Sequence, residues 1–316
     1  MIEVQQLTKY FGSVLAVDHV HFNIDKGAIV GFLGPNGAGK STTMRILTTF
    51  IPATSGSAKV AGFDVRSQAM EVRQNLGYLP ENVPLYPEMR VDEYLQFRAK
   101  LKGVDRKERQ KRLGFCIDRC RLSGVQRRLI STLSRGYRQR VGLAEAMIHD
   151  PPILILDEPT AGLDPNQQQD TLALIRELRE NHTIVLSTHI LPEVEEVCEQ
   201  VIIIAQGKVV LQDTLKNLTQ DTQIVLEVRA NRSEAENAIK AIPGISKVMH
   251  QSTDDHGLAS FTIITEGQQD LREKIAQQMM QRGWVLCRLD LRRRSLREHF
   301  VAVTMGRRIS ETIAAY

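Results

Sequence analysis

Gly34-Pro35-Asn36-Gly37-Ala38-Gly39-Lys40-Ser41-Thr42 is the stretch whose reading decides the fold. It fits the pattern G-x-x-x-x-G-K-[ST], a loop that wraps phosphate groups. An apolar run, Ala28 to Leu33, leads into it, and Ser41 to Leu47 leads out with helical apolar spacing. The context is therefore strand, loop, helix. Gly34, Gly37 and Gly39 let the backbone turn tightly and aim its N–H groups inward. A helix starting near Lys40 adds its positive end. Lys40 brings a full charge to the β- and γ-phosphates, and Ser41 offers a hydroxyl to Mg2+.

Downstream, Ile153 to Leu156 is an unbroken apolar run that ends in Asp157 and Glu158. Such a run suits a parallel strand covered on both faces, and acids at its C-terminal end stand at the ligand edge of an α/β sheet. Asp157 can hold Mg2+, and Glu158 can orient and polarise an attacking water. Thr183 to Thr188 is a second buried run, and His189 at its end can donate to a γ-phosphate oxygen. Glu81 follows a short strand, Leu76 to Leu79, at the same kind of edge. Ser134 and Gly136 precede a helix read at Val141 to Ile148 and make a second anion-receptive N-terminus. Upstream, short strands are read at Ile2–Leu7, Val20–Ile24 and Ile29–Leu33. The aromatics Tyr10 and Phe11 lie between the first two, where one can stack on a purine or simply fill a turn.

Residues 84–130 are rich in Lys, Arg and Glu with apolar residues at helical spacing, which predicts a helical insert with a solvated face. From about Asp221 the pattern changes to β-α-β-β-α-β, the signature of a ferredoxin-like α/β sandwich. A basic terminal helix is read from Ser295. No run approaches the roughly 20 apolar residues of a membrane span, and Met1-Ile-Glu-Val has no signal-peptide character. The four cysteines make no C-x-x-C pair, which points to a reducing compartment rather than to disulfides or a metal site. The formal charge is +4, but residues 282–316 carry eight Arg, no Lys and three acids. The basic character thus belongs to the tail, not to the nucleotide-binding body.

Taken in order, these blocks resemble the ATP-binding subunits of ABC transporters. By that resemblance Gly34–Thr42 corresponds to the Walker A loop and Ile153–Asp157 to Walker B. Glu158 corresponds to the catalytic glutamate, Leu133–Tyr137 to the signature block, Ala161–Pro165 to the D-loop and His189 to the switch histidine. Phe11 stands where the family places its adenine-stacking aromatic, with Tyr10 beside it. Two departures stand out. The signature reads Leu133-Ser134-Arg135-Gly136-Tyr137, not Leu-Ser-Gly-Gly-Gln, and Glu81 stands where a glutamine is usual. A carboxylate at Glu81 still ligates Mg2+ but adds negative charge beside the phosphates.

The resemblance implies an α/β P-loop NTPase domain of ABC ATPase type over residues 1–220, with a helical subdomain at about 84–148. A small α+β ferredoxin-like domain would follow over residues 221–316. The cofactors implied are ATP and Mg2+. Two chains would sandwich two ATP molecules head to tail. Each site would take Lys40, Ser41, Asp157, Glu158 and His189 from one chain and Ser134 and Gly136 from the other. A homodimer or a closely related heterodimer would dock, through the 84–130 insert and the Glu81 loop, on separately encoded transmembrane permease subunits. It would sit on the cytoplasmic face of the membrane. The arrangement looks closest to ABC-2 type exporters, drug-export and gliding-motility-type subunits among them. The rival is a soluble ABC-type ATPase acting on nucleic acid or ribonucleoprotein. It rests on the Arg-rich tail alone, Arg292-Arg293-Arg294 especially, and no nucleic acid is expected.

Overall fold

The computed structural model describes residues 1–220, 222–254, 257–266, 269–293 and 295–304. The chain divides into two units, Met1–Gln212 and one beginning at Asp213.

The first unit opens with a hairpin, β1 (Ile2–Phe11) and β2 (Val14–Ile24), followed by β3 (Ile29–Leu33) and α1 (Lys40–Leu47). Then come β4 (Ser55–Val60), β5 (Phe63–Asp64), α2 (Ala69–Gln74) and β6 (Leu76–Leu79). The helical insert holds α3 (Val91–Leu101), α4 (Arg109–Arg119) and α5 (Arg135–Met147). The unit closes with β7 (Ile153–Asp157), α6 (Pro165–Leu178), β8 (Thr183–Thr188), α7 (Leu191–Val197), β9 (Gln200–Ala205) and β10 (Lys208–Thr214), the last strand running just past the division.

Two sheets result, ordered β2-β1-β4-β5 and β10-β9-β3-β8-β7-β6. In the larger one, β3, β7 and β8 are buried at every residue. Their near-continuous Ile, Leu and Val content fits strands covered on both faces, and every pairing among β9, β3, β8, β7 and β6 is parallel. The register matters most for function. Leu33 pairs with Thr188, and Asp157 pairs with Ser187, so the three strand ends stop level with one another. The smaller sheet packs Phe22 against Phe32, ring centroids 5.5 Å apart, over one continuous apolar core.

Three sequence expectations shift. Strands read as ending at Leu7 and beginning at Val20 are longer, and Tyr10 and Phe11 belong to the hairpin rather than to a loop between strands. Register breaks at Leu7 and Lys9, with positive φ at Gln6 and His19, interrupt the alternation that sequence reading relies on. Helix α5 begins at Arg135, not Val141, because Ser134 caps it by accepting from the Tyr137 N–H. Finally, the division falls after Gln212 rather than 220. The short helix α8 (Leu215–Gln220) goes with the second unit, where the His299 ring meets the Leu218 carbonyl at 3.1 Å.

That second unit continues with β11 (Thr222–Arg229), α9 (Arg232–Lys240), β12 (Ile245–Thr253), β13 (Leu258–Thr265), α10 (Arg272–Gln281), β14 (Val285–Arg293) and α11 (Leu296–Thr304). Its sheet runs β12-β13-β11-β14, with every neighbouring pair antiparallel. Ile224, Leu226 and Val228 alternate inward with Ala259, Phe261 and Ile263, and α9 and α10 cover them through Ile239, Ile275 and Met279. Asp221, Gln268, Arg294 and residues 305–316, on which parts of the C-terminal reading fell, lie outside the described residues.

Candidate nucleotide site

The phosphate loop leaves β3 and enters α1 through Gly37 (φ 79°) and Gly39 (φ 103°). A side chain at Gly39 would also stand 2.6 Å from the Ala16 carbonyl, so glycine is required there twice over. Lys40 is almost wholly buried, 6% exposed. Its ammonium donates to the carbonyls of Gly34 (2.8 Å) and Pro35 (3.3 Å) and lies 3.6 Å from Glu158 Oε1.

The level strand ends bring the acids to this loop. Ser41 Oγ donates to Asp157 Oδ1 at 3.2 Å. Burial pushes the Asp157 carboxyl up; the hydroxyls of Ser187 and Ser41 oppose the shift, and the charges of Glu158 and Glu81 add to it. An acid so placed favours a cation beside it. Glu158 holds left-handed backbone, φ 50°, and its N–H donates to the Ser187 carbonyl at 2.9 Å. Its carboxylate meets His189 Nδ1 at 2.9 and 3.1 Å. The sequence-predicted residues Lys40, Ser41, Asp157, Glu158 and His189 therefore form one cluster.

The others stand apart from it. Glu81 is exposed, just past the end of β6, which is the strand beside β7. Phe11, 49% exposed, lies at the tip of the hairpin with Lys9 Nζ 5.1 Å from its ring centroid, and Tyr10 beside it is 45% exposed. Ser134 and Gly136 contact Tyr137 and the Gln167 side chain rather than the cluster. Among the described residues no group of three His, Cys, Asp or Glu side chains could hold a metal ion. A single carboxylate and a hydroxyl, completed by phosphates and water, is the donor set a magnesium ion accepts.

Sequence reading missed one group entirely. Glu193, 4% exposed, accepts from Thr160 Oγ1 at 2.5 Å and from Thr188 Oγ1 at 2.7 Å. An acid in the first turn of α7 reads as an ordinary response to the helix dipole. Nothing local reveals that it is buried.

A phosphate loop, a buried acid pair and a histidine at adjoining parallel strand ends define a P-loop nucleotide hydrolase. The family described as ABC transporter matches residues 17–161. The chain is 32% identical over 252 residues to the ABC transporter ATP-binding protein YxlF of Bacillus subtilis, covering 80% of this chain and 84% of that one. It is 31% identical to the linearmycin resistance ATP-binding protein LnrL of the same organism, over 78% and 81% of the two chains. The probable multidrug ABC transporter ATP-binding protein YbhF of Escherichia coli is 34% identical over 69% of this chain, which spans 38% of YbhF. Among solved structures, an ATP-binding subunit of an ABC transporter superposes with TM-score 0.64 at 30% identity, over 70% of this chain and 92% of that one. A dimeric post-hydrolysis state of the ATP-binding cassette MJ0796, bound to ADP and Pi, gives 0.63 at 26%, over 68% and 99%. The chain belongs to the ABC transporter ATP-binding proteins and is an ATP-binding, ATP-hydrolysing subunit of such a transporter.

Proposed function

We propose that this chain powers export through separately encoded membrane subunits, of ABC-2 type, by ATP-driven closure of a dimer. The convergence of Lys40, Ser41, Asp157, Glu158 and His189 carries the reading. In it, Lys40 and the backbone of Gly34 to Thr42 hold the triphosphate, and Phe11 stacks on the adenine. Ser41 and Asp157 hold Mg2+, with Glu81 near enough to adjust its charge. When bound, the ion neutralises charge developing on the phosphates. Glu158 orients the attacking water and takes its proton, and His189 steadies both Glu158 and the γ-phosphate. Ser134 and Gly136 reach the site of a facing copy, so neither half completes a site alone.

A cavity of about 720 Å³ supports docking on a membrane partner. It opens between the helical insert and the strand-bearing body, beside the loop that follows Glu81. Phe50, Met70 and Leu101 rim it and are each more than half exposed. Arg45, Arg73, Arg98 and Lys102 line it against one acid, Glu145. Glu145 is held by Arg98 and by the Tyr94 hydroxyl at 2.5 Å, and burial pushes Lys102 down to about 8. An apolar segment carrying an acid suits such a groove. No helix among the described residues is long and apolar enough to cross a membrane, so the pore would come from other chains at the cytoplasmic face.

The β-α-β-β-α-β order and antiparallel sheet of the second unit support a ferredoxin-like domain. For the nucleic-acid alternative, Arg292 is paired with Glu298 at 2.7 Å, and Arg294 lies outside the described residues. Reading the neighbouring frames for a multi-span protein, and co-expressing this chain with any that is found there, tests the export reading. The two should co-purify, and Leu101→Asp should release the membrane subunit while ATP binding persists. Co-purification unaffected by Leu101→Asp and Phe50→Asp together would remove the docking surface.

A further inference from the structure

Glu193 is costly to bury, since a carboxylate loses its hydration and keeps only what the protein supplies. Its two oxygens accept from two different segments, the turn after β7 and the end of β8. Thr160 lies two residues past Glu158 and is fully buried; its hydroxyl meets Oε1 at 2.5 Å. Thr188 immediately precedes His189 and is equally buried; its hydroxyl meets Oε2 at 2.7 Å. Thr188 Oγ1 also accepts the Ile190 N–H at 3.1 Å, which fixes the turn on the far side of His189. The Glu158 turn is fixed in front as well, since the Ala161 N–H donates to the Glu158 carbonyl at 3.1 Å. An acid serving only the helix dipole would sit in solvent near backbone N–H groups. This one spans the segments that carry Glu158 and His189, and only a forked acceptor can serve both hydroxyls.

We propose that Glu193 is a positioning residue for hydrolysis, holding the Glu158 and His189 segments in register with each other through Thr160 and Thr188. The proposal rests on the reading of Glu158 and His189 as the hydrolytic pair. Burial raises the Glu193 carboxyl while the two hydroxyls lower it; of the ionisable neighbours, Glu158 adds to the rise and His189 opposes it.

The test uses the full chain and three substitutions, Glu193→Gln, Thr160→Val and Thr188→Val, with Glu158→Gln measured alongside. A glutamine can accept one hydroxyl but not both. Glu193→Gln should lower kcat about tenfold, with KM and the number of ATP molecules bound per chain unchanged. Each valine variant should do the same singly and add little in the Glu193→Gln background, since all three remove one device. A wild-type kcat in Glu193→Gln overturns the proposal. So does a loss of kcat that tracks a loss of bound ATP, which would mark a merely structural role. If Glu193→Gln does not fold, the valine variants decide, and a normal kcat in both overturns it. Wild-type turnover in Glu158→Gln would instead overturn the assignment of the hydrolytic pair.

Discussion

At the scale of single residues, the cation in the loop and the acids at the strand ends depend on each other. Lys40 is enclosed by its own loop and faces Glu158, so its charge is held where phosphate oxygens would lie. Lys40→Ala removes that charge and leaves the fold's glycines untouched. ATP affinity should fall at least tenfold by equilibrium binding with a fluorescent ATP analogue, while far-UV circular dichroism stays unchanged. Equal affinity in the variant would mean that the backbone N–H groups alone hold the triphosphate. This half of the site was legible because glycine and lysine spacing maps onto one local turn. Glu193, Thr160 and Thr188 were not, because their meeting depends on how β7, β8 and α7 pack, which no local spacing encodes.

Among the elements, the fully buried strands were the most readable. Their runs of Ile, Leu and Val have no alternation to be disturbed, and β3, β7 and β8 fall where the sequence placed them. The β1–β2 hairpin was misread because its bulges break the two-residue period. Helix α5 shows how an element can carry a pH response. Just past its end, His149 meets the Leu76 carbonyl at 3.2 Å and so ties the helix to β6. Burial, with the charge of Lys102, pushes its ring from 6.5 down to about 3. The unfolded chain therefore takes up the proton first as pH falls. Stability present above about pH 6.5 should decline progressively toward pH 3. His149→Gln should flatten the fall of the melting midpoint between pH 7 and pH 5. A slope identical to wild type would show that other groups set the acid limb.

For the whole molecule, the decisive prediction concerns assembly. Glu158→Gln keeps a side chain of the same size but cannot take a proton from water. With ATP and Mg2+ it should bind nucleotide, hydrolyse it at least a hundredfold more slowly and accumulate as a dimer by light scattering. A monomer under those conditions would sink the proposed closure, and normal turnover would reassign the base. The two-unit organisation was readable as a change of pattern near residue 220, but its position was not. Asp213 and Thr214 cap the start of helix α8, the Thr214 hydroxyl accepting the Asn217 N–H at 3.1 Å, but nothing so local says which unit the helix joins, where the distant ring of His299 meets the Leu218 carbonyl.

The left-handed backbone at Glu158 has a consequence for anyone improving this protein. A residue with a β-carbon is disfavoured there by roughly 1–2 kcal/mol, and asparagine tolerates the region better. Glu158→Asn eases that backbone but takes away the carboxylate 3.6 Å from the buried Lys40 ammonium, so turnover should be abolished with no rise in the melting midpoint, and a clear rise would show that the strained turn outweighs the ion pair. Heat resistance is then not to be gained by relaxing this corner, because the charge that strains the backbone also anchors its neighbour.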